Sequence, residues 1–299
     1  MDALKPERGG IFVDCTAGGG GHSLEIAKRL PKGSQLICLD RDDEAIEACT
    51  ARLKDYADMV TVVKSNFRNI GAALDSIGVD KIDGVMWDLG VSSHQLDDGD
   101  RGFSYSKTAP LDMRMDREET RSAYDVVNFY AEDELKRIIR DYGEERFAAR
   151  IASFIVSARA DKPIETTTEL SEIVTKAIPA AQRTKEAQNP CRRTFQAIRI
   201  EVNGELDAIE PSITEAVERL NKGGRLAVIT FHSLEDRATK ETFRTLATGC
   251  TCPPEFPVCV CGKKAKIELL SHKPILPTER ETEENPRARS AKLRAAEKL

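Results

Sequence analysis

A glycine-rich segment near the start of the sequence could bind a small molecule. It spans residues 14–23, Asp-Cys-Thr-Ala-Gly-Gly-Gly-Gly-His-Ser, between an apolar run and an amphipathic stretch. Glycines between a strand and a helix let the backbone turn tightly and approach a ligand, which then faces the helix N-terminus. The segment therefore predicts a ligand-binding loop, and a plain strand-to-helix turn is the alternative.

Two acidic residues indicate which ligand suits this loop. Asp14 precedes the glycines, and Asp40 ends the next apolar run, where a carboxylate can accept hydrogen bonds from both ribose hydroxyls of an adenosine. A dinucleotide fingerprint has a third glycine or alanine inside the helix, whereas this sequence has Ser23 or Leu24 there. S-adenosylmethionine, which carries an ammonium and a sulfonium but no pyrophosphate, is thus favoured over NAD.

Asp88 begins another polar segment after an apolar run, residues 88–95, Asp-Leu-Gly-Val-Ser-Ser-His-Gln. Open α/β sheets bind ligands at the carboxyl ends of their strands. A carboxylate there can accept a hydrogen bond from an amino group, so we expect Asp88 to contact a reacting amine. Amine methyltransferases often have Asp or Asn followed by Pro-Pro and an aromatic residue at this point, and this sequence lacks that trio. A polar strand end is the alternative.

His232 occupies a comparable place in residues 231–237, Phe-His-Ser-Leu-Glu-Asp-Arg. At the carboxyl end of a strand it could contact a substrate or transfer a proton. Ser233 and Asp236 also match a capping box in its broad form, which would make the segment a helix start. Both interpretations stand at this point.

The elements that position these residues follow from apolar patterning. Short runs at residues 11–13, 36–39, 59–63 and 85–87 alternate with amphipathic stretches, and another run follows at 225–231. Apolar strands separated by helices are typical of a parallel sheet. Between about Leu111 and Arg199 the spacing is helical instead, as in Leu135, Ile138, Ile139 and Tyr142.

We therefore predict an α/β sheet domain interrupted by a helical domain, with residues 1–110 and 201–299 in the sheet and 111–200 in the insert. A capping box at Thr166 and Glu169 should begin one helix of the insert. The composition, 40% hydrophobic and 32% charged over 299 residues, suits a folded chain. The apolar runs are too short for a membrane span, and no secretory signal is apparent, so we expect a cytoplasmic protein.

Nucleic-acid contacts would have to be local, because the net charge of −5 gives no overall attraction to phosphate. Two basic runs stand out. The first contains Arg183, Lys185, Arg192, Arg193 and Arg199, and the second contains Arg287, Arg289, Lys292 and Arg294. Such runs suit phosphate contacts, although charge runs are often only solvated surface.

The eight cysteines fall into two groups. Cys15, Cys38, Cys49 and Cys191 are scattered, which is typical of small core residues in a reducing compartment. The other four are clustered at Cys250, Cys252, Cys259 and Cys261. Four thiolates could bind a tetrahedral Zn²⁺, but the usual spacing is Cys-x-x-Cys, so a reduced loop is the alternative. The metal content is left open.

Taken together, the motifs identify a family. They lie at residues 20–23 (Gly-Gly-His-Ser), 83–84 (Asp-Gly), 88–93 (Asp-Leu-Gly-Val-Ser-Ser), 101–104 (Arg-Gly-Phe-Ser), 110–116 (Pro-Leu-Asp-Met-Arg-Met-Asp), 142–146 (Tyr-Gly-Glu-Glu-Arg), 194–197 (Thr-Phe-Gln-Ala), 202–206 (Val-Asn-Gly-Glu-Leu), 231–237 and 285–290 (Asn-Pro-Arg-Ala-Arg-Ser). Nearly the whole chain resembles the ribosomal RNA small subunit methyltransferase H family, bacterial enzymes that methylate N4 of a decoding-centre cytidine in 16S RNA.

The resemblance implies a class I methyltransferase fold with an inserted helical substrate domain and S-adenosylmethionine as cofactor. It implies cofactor contacts at Gly20, Gly21, His22, Asp40, Phe67, Asp88 and Gln95. It also raises the expectation that Arg192, Arg193, Arg287 and Arg289 bind RNA. The partner would be 16S ribosomal RNA within the small subunit, and the oligomeric state stays open, with a homodimer as one option.

The sequence departs from the family pattern in three places. It lacks an initial segment containing His-x-Pro-Val-Leu-Leu, which suggests a truncated or misassigned start. Ser93-His94-Gln95 replaces Ser-Pro-Gln, and Asn189-Pro190-Cys191 replaces His-Pro-Ala. Pro190-Cys191 is similar to the nucleophile of C5-cytosine methyltransferases, but no second cysteine motif of that class is present.

Asp88 and His232 are the catalytic candidates. Catalysis should come from aligning N4 with the methyl group and from an acceptor for the N–H proton, without a covalent intermediate. The rival functions are an NAD-linked oxidoreductase and a non-catalytic RNA-binding or assembly factor that keeps the cofactor fold.

Overall fold

The computed structural model describes residues 1–183, 189–252 and 260–299. Contacts divide the chain into two compact units, which we call the sheet unit (residues 1–90 and 206–299) and the helical unit (residues 91–205). The helical unit begins earlier than the predicted boundary at residue 111. The reason is packing, because Phe103 and Leu111 both belong to the buried core of that unit.

The strands are β1 (Ile11–Asp14), β2 (Gln35–Asp40), β3 (Val60–Lys64), β4 (Ile82–Asp88), β5 (Leu220–Thr230), β6 (Ile267–Leu269) and β7 (Lys292–Lys298). The helices are α1 (Gly21–Ala27), α2 (Asp43–Arg52), α3 (Ile70–Ser76), α4 (Ser93–Asp97), α5 (Ala123–Phe129), α6 (Glu132–Asp141), α7 (Ala148–Asp161), α8 (Thr167–Ala177), α9 (Ala180–Arg183), α10 (Arg192–Asn203), α11 (Ile209–Arg219), α12 (Ser233–Ala247) and α13 (Glu279–Glu284). Within the described ranges, none of the helices combines the length and the apolar character that crossing a membrane would need.

The sheet has the strand order β3-β2-β1-β4-β5-β7-β6. Neighbours among β1 to β5 pair in parallel, whereas β7 is antiparallel to both β5 and β6. This confirms the predicted α/β class I architecture. The strand order reverses between β1 and β4, and open α/β sheets bind ligands at the carboxyl edge beside such a reversal. The loops after β1, β2, β4 and β5 therefore meet where a ligand is expected.

Helices cover the sheet and anchor the strand that ends in Asp88. Two apolar cores contain the buried apolar residues of β1, β2 and β4, which explains why these strands carry apolar residues on both faces. Trp87 is fully buried, and its Nε1 donates a hydrogen bond of 2.9 Å to Ser212 Oγ of α11. The residue before Asp88 is thus fixed by both packing and a hydrogen bond.

The helical unit has its own core. Leu135, Ile138 and Ile139 of α6 are fully buried in it, as their spacing predicts. The predicted capping box is confirmed, because Thr166 Oγ1 accepts a hydrogen bond of 3.2 Å from Glu169 N at the start of α8. These contacts give residues 91–205 an interior separate from that of the sheet.

Candidate functional site

The structure gathers most of the predicted cofactor residues at the carboxyl edge of the sheet. The glycine loop follows β1, Asp40 ends β2, Asp88 ends β4 and His232 follows β5. Phe67 starts a short 3-10 helix after β3, where its half-buried ring packs against the sheet core. Gln95 belongs to the helical unit instead, and there its Oε1 accepts a hydrogen bond of 3.0 Å from Ser92 N as part of the cap of α4.

The glycine loop needs its glycines for two different reasons. Gly20 has a φ of +75°, and a Cβ added there would lie 3.2 Å from the Cα of Cys49. At Gly19 and Gly21 the nearest described atom to such a Cβ is Nη1 of Arg52, at 3.9 and 3.7 Å. The loop is therefore packed against α2 on one side and open on the other, where a ligand can approach the backbone.

Asp14 organises the glycine loop from inside. Its side chain is fully buried, with Oδ2 accepting a 2.6 Å hydrogen bond from Ser23 Oγ and Oδ1 accepting one of 3.1 Å from Thr16 N. Burial raises its pKa above the ordinary value. The sequence suggested that Asp14 faces the cofactor, but its contacts give it an internal role, and Ser23 is a partner that the sequence did not reveal.

Asp40 connects β2 to the same loop. Its Oδ2 accepts a hydrogen bond of 2.8 Å from Gly18 N, and its Oδ1 accepts one of 3.0 Å from Asp42 N. Burial raises the pKa of this half-buried carboxyl. A carboxylate oxygen has a second lone pair, so each oxygen can also accept a hydroxyl. Asp40 can thus bind two ribose hydroxyls while it holds the glycine loop in place.

Asp88 stands at the centre of the edge. Its backbone N donates a 2.6 Å hydrogen bond to Thr16 Oγ1, and its Oδ2 lies 3.5 Å from His22 Nδ1. Its Oδ1 is buried, and no described group forms a hydrogen bond with it. A buried acceptor without a partner is costly, so Oδ1 is a natural place for a ligand N–H.

The environment of Asp88 raises its pKa to about 6. Burial is the main cause, the nearby His22 opposes it, and the negative charges of Asp14 and Glu235 add to it. A carboxylate with a pKa near 6 is ionised at neutral pH and is a stronger base than an exposed aspartate. This is the property expected of a proton acceptor.

His232 is the N-cap residue of α12. Its Nδ1 accepts a hydrogen bond of 3.4 Å from Glu235 N, and its Nε2 lies 3.1 Å from Glu235 Oε1. The predicted capping box at Ser233 and Asp236 is therefore wrong by one residue. Glu235 closes the box because its buried Oε2 accepts from the backbone N of Phe231 and of His232, at 2.7 and 3.2 Å. Its contribution to this edge was not evident from the sequence.

The side chains of the basic runs differ in their described contacts and in their exposure. Arg199 forms a two-bond pair with Glu205, and Lys292 and Arg294 both pair with Asp236. The exposed members are Arg193 on α10 and, after α13, Arg287 and Arg289; Arg192 is half-buried. Arg193 Nη1 lies 3.6 Å from Glu145 Oε2. Lys185 and the side chain of Arg183 lie outside the described part of the structure.

The cysteines divide as the sequence predicted. Cys15, Cys38, Cys49 and Cys191 are buried. Cys191 Sγ lies 3.1 Å from Ser171 Oγ, and this buried, hydrogen-bonded thiol does not suit a nucleophile. Cys250, Cys252 and Cys261 have Sγ atoms within 4.8 Å of one another, and Cys259 lies outside the described residues.

Comparisons with known proteins give one consistent result. A family model described as the MraW methylase family matches residues 1–299. A ribosomal RNA small subunit methyltransferase H of Clostridium botulinum (strain Loch Maree / Type A3) is 55% identical over 299 residues, which cover 100% of this chain and 96% of the relative. Its counterpart in Clostridioides difficile (strain 630) is 56% identical over 296 residues, covering 99% of this chain and 94% of the relative.

A solved structure of an rRNA methylase from Streptococcus thermophilus is also similar. The TM-score is 0.42 at 12% sequence identity, and the match covers 100% of this chain and 90% of the other.

Replacing Asp40 with alanine should weaken the binding of S-adenosylmethionine. The change removes an acceptor of ribose hydroxyls, each bond to a charged group being worth about 1.5–3 kcal/mol, and also frees Gly18 N. Calorimetric titration of the purified protein measures the effect. Asp43→Ala is the control, since the exposed Asp43 pairs with Lys64. Equal affinities of the wild type and Asp40→Ala would remove Asp40 from the site.

Asp88→Asn should stabilise the cofactor-free protein at neutral pH but not in acid. The folded pKa of about 6 lies above the ordinary value of 3.8, so any stability that protonated Asp88 contributes is present below pH 3.8 and lost as the pH rises through about 6. Because the side chain is 31% exposed, solvent reduces the size of this effect. From about pH 4 to about pH 7, the free energy of unfolding of Asp88→Asn relative to that of the wild type should rise by about 1–2 kcal/mol.

Urea unfolding at the two pH values measures this difference. Asp75→Asn is the matched control with the opposite sign, because the ion pair with Arg219 lowers the pKa of Asp75. A difference between Asp88→Asn and the wild type that did not change with pH would contradict the raised pKa.

Proposed function

Because the chain belongs to the MraW methylase family, we propose that it methylates the N4 amine of a cytidine in the decoding region of 16S ribosomal RNA. The chain is a methyltransferase that uses S-adenosylmethionine. The relatives named for small subunit ribosomal RNA support the substrate class. The observation that carries the choice of an amine is the buried Asp88 Oδ1, which has no hydrogen-bond partner in the described structure.

The carboxyl edge fits the cofactor. S-adenosylmethionine, when bound, supplies a methyl group activated by its attachment to a sulfonium. Gly19 and Gly21 leave the loop open to a ligand, and both oxygens of Asp40 keep accepting capacity. The pKa values of Asp14, Asp40 and Asp88 are all raised by burial, and a cation placed at this edge would relieve that cost. His22, Phe67 and Gln95 are further proposed contacts.

Asp88 is the proposed acceptor for the reacting amine. The lone pair of a cytidine N4 is delocalised into the ring, so the amine is a weak nucleophile. A carboxylate that accepts an N4–H bond increases the electron density on nitrogen and can take the proton as the N–C bond forms. The buried Oδ1 has the accepting capacity for this bond, and Trp87 with Thr16 fixes the backbone beside it.

His232 is the second candidate for the acceptor. Its Nε2 is, like Asp88 Oδ1, buried without a hydrogen bond in the described structure, but its Nδ1 caps α12, which gives the side chain a structural role. We therefore assign His232 to positioning the start of α12 and Asp88 to the chemistry. A covalent route through Cys191 is disfavoured because that thiol is buried among Ser171 and Thr175.

The proposed partner is 16S ribosomal RNA within the small ribosomal subunit, in the cytoplasm. Arg192 and Arg193 in the helical unit and Arg287 and Arg289 in the sheet unit are the proposed phosphate contacts. Arg199, Lys292 and Arg294 are not part of this proposal, because Glu205 and Asp236 hold them by hydrogen bonds of 2.7–3.2 Å. A homodimer stays a prediction.

Purified protein should convert one cytidine of unmodified small subunits to N4-methylcytidine, and Asp88→Asn should do so at least 10²-fold more slowly at saturating cofactor. That fold-change corresponds to about 2.7 kcal/mol of transition-state stabilisation. At subsaturating cofactor the wild-type rate should rise with pH to a plateau above about 6, as Asp88 of the free enzyme ionises, and the variant should lack this rise. Mass spectrometry of nucleosides and single-turnover kinetics give both results.

The controls separate function from mechanism. Naked 16S RNA tested beside assembled subunits identifies the substrate form. A methyl group on C5, or no product at all, would overturn the proposed function. A normal rate for Asp88→Asn would leave the function intact and move the acceptor to His232 or to a backbone carbonyl.

Replacing Arg192 and Arg193 with alanine should weaken RNA binding across sequences and leave cofactor binding intact. The slope of log affinity against log salt should fall by about one unit for each phosphate that the variant no longer binds. The control is Arg280→Ala, because Arg280 is an exposed arginine outside both basic runs. RNA binding measured at several salt concentrations tests this prediction. An unchanged slope would mean that this part of the surface is a solvated face that does not bind phosphates.

A further inference from the structure

The thiols of Cys250, Cys252 and Cys261 form a compact cluster in the loop between α12 and β6. Their Sγ atoms lie within 4.8 Å of one another, and Cys250 Sγ and Cys261 Sγ are 3.7 Å apart. These two sulfurs lie together although Cys250 and Cys261 are eleven residues apart in the sequence. We propose that this cluster is a structural zinc site in which these three thiolates supply three of the four tetrahedral ligands.

The distance between the sulfurs favours a shared metal ion. Two thiolates at about 2.3 Å from a tetrahedral zinc ion lie about 3.8 Å from each other, close to the separation of Cys250 and Cys261. A disulfide would need about 2.05 Å. The backbone N of Cys252 also lies 3.4 Å from Cys250 Sγ, and it donates to this sulfur as amides do around metal-bound thiolates.

Lysines beside the cluster supply positive charge, and a backbone hydrogen bond joins the two ends of the loop. Three thiolates and Zn²⁺ carry one net negative charge, and Lys263 and Lys264 follow Cys261 directly after Gly262. The ends of the loop are joined by a hydrogen bond of 2.8 Å from Lys266 N to Leu246 O of α12. The cluster thus lies between an anchored helix end and the start of β6.

The position in the sheet unit indicates a structural role. Helix α12 begins at the carboxyl edge, after β5, and the Lys266 N to Leu246 O hydrogen bond places its far end beside the start of β6, at the opposite edge. The ion would close this loop and fix β6 at the end of the sheet. Each thiol loses its proton as its bond to zinc forms, so binding should release protons and weaken in acid.

Metal analysis of the purified full chain tests the proposal. We expect about one zinc ion per chain after dialysis, and a fall to under about a tenth of that in each of Cys250→Ser, Cys252→Ser and Cys261→Ser. Cys191→Ser is the matched control, since Cys191 is buried in the helical unit. Calorimetric binding of S-adenosylmethionine shows whether each variant still folds.

A second measurement keeps the test independent of expression conditions. Chelated protein titrated with Co²⁺ should develop intense thiolate-to-cobalt charge-transfer absorption, and Zn²⁺ should bleach it. The absence of this absorption, zinc at background in the wild type, or equal zinc in the serine variants would each overturn the proposal. So would a disulfide among the three cysteines found by mass spectrometry without reduction. None of these results depends on methyltransferase activity.

Discussion

The buried carboxylate of Asp14 links the parts of the candidate site. A buried ionisable group is costly unless it is hydrogen-bonded, and Asp14 meets this condition through Thr16 N and Ser23 Oγ. Thr16 in turn accepts a hydrogen bond from the backbone of Asp88. One carboxylate thus connects the end of β1, the start of α1 and the end of β4, and the open face of the glycine loop depends on it.

Function explains why so many acidic groups are collected at one edge. Asp14, Asp40 and Asp88 all have raised pKa values, and the charges of Asp14 and Glu235 contribute to the shift at Asp88. A fold selected for stability alone would separate these charges. A cofactor with an ammonium and a sulfonium compensates these charges when it binds, so relief of the electrostatic cost of the unliganded edge contributes to its affinity.

The sequence predicted the elements well and the side-chain partners poorly. Apolar runs located β1 to β5 and helical spacing located α6 to α8, because burial follows periodicity. The capping register at α12 was wrong, since Ser233 is a usual N-cap residue and His232, which is the N-cap in the structure, is not. The pairing of Arg294 with Asp236 joins residues 58 positions apart, which no local pattern can reveal.

The position of β7 in the sequence constrains the order in which the two units can fold during synthesis. β7 pairs with residues 225–230 of β5 and also with β6. Until β7 has emerged from the ribosome, this edge of β5 is therefore unpaired. The helical unit is contiguous in the chain and has its own core. During synthesis the helical unit can therefore fold before the sheet is complete. The sheet is completed only by β7, which begins about two hundred residues after the end of β4.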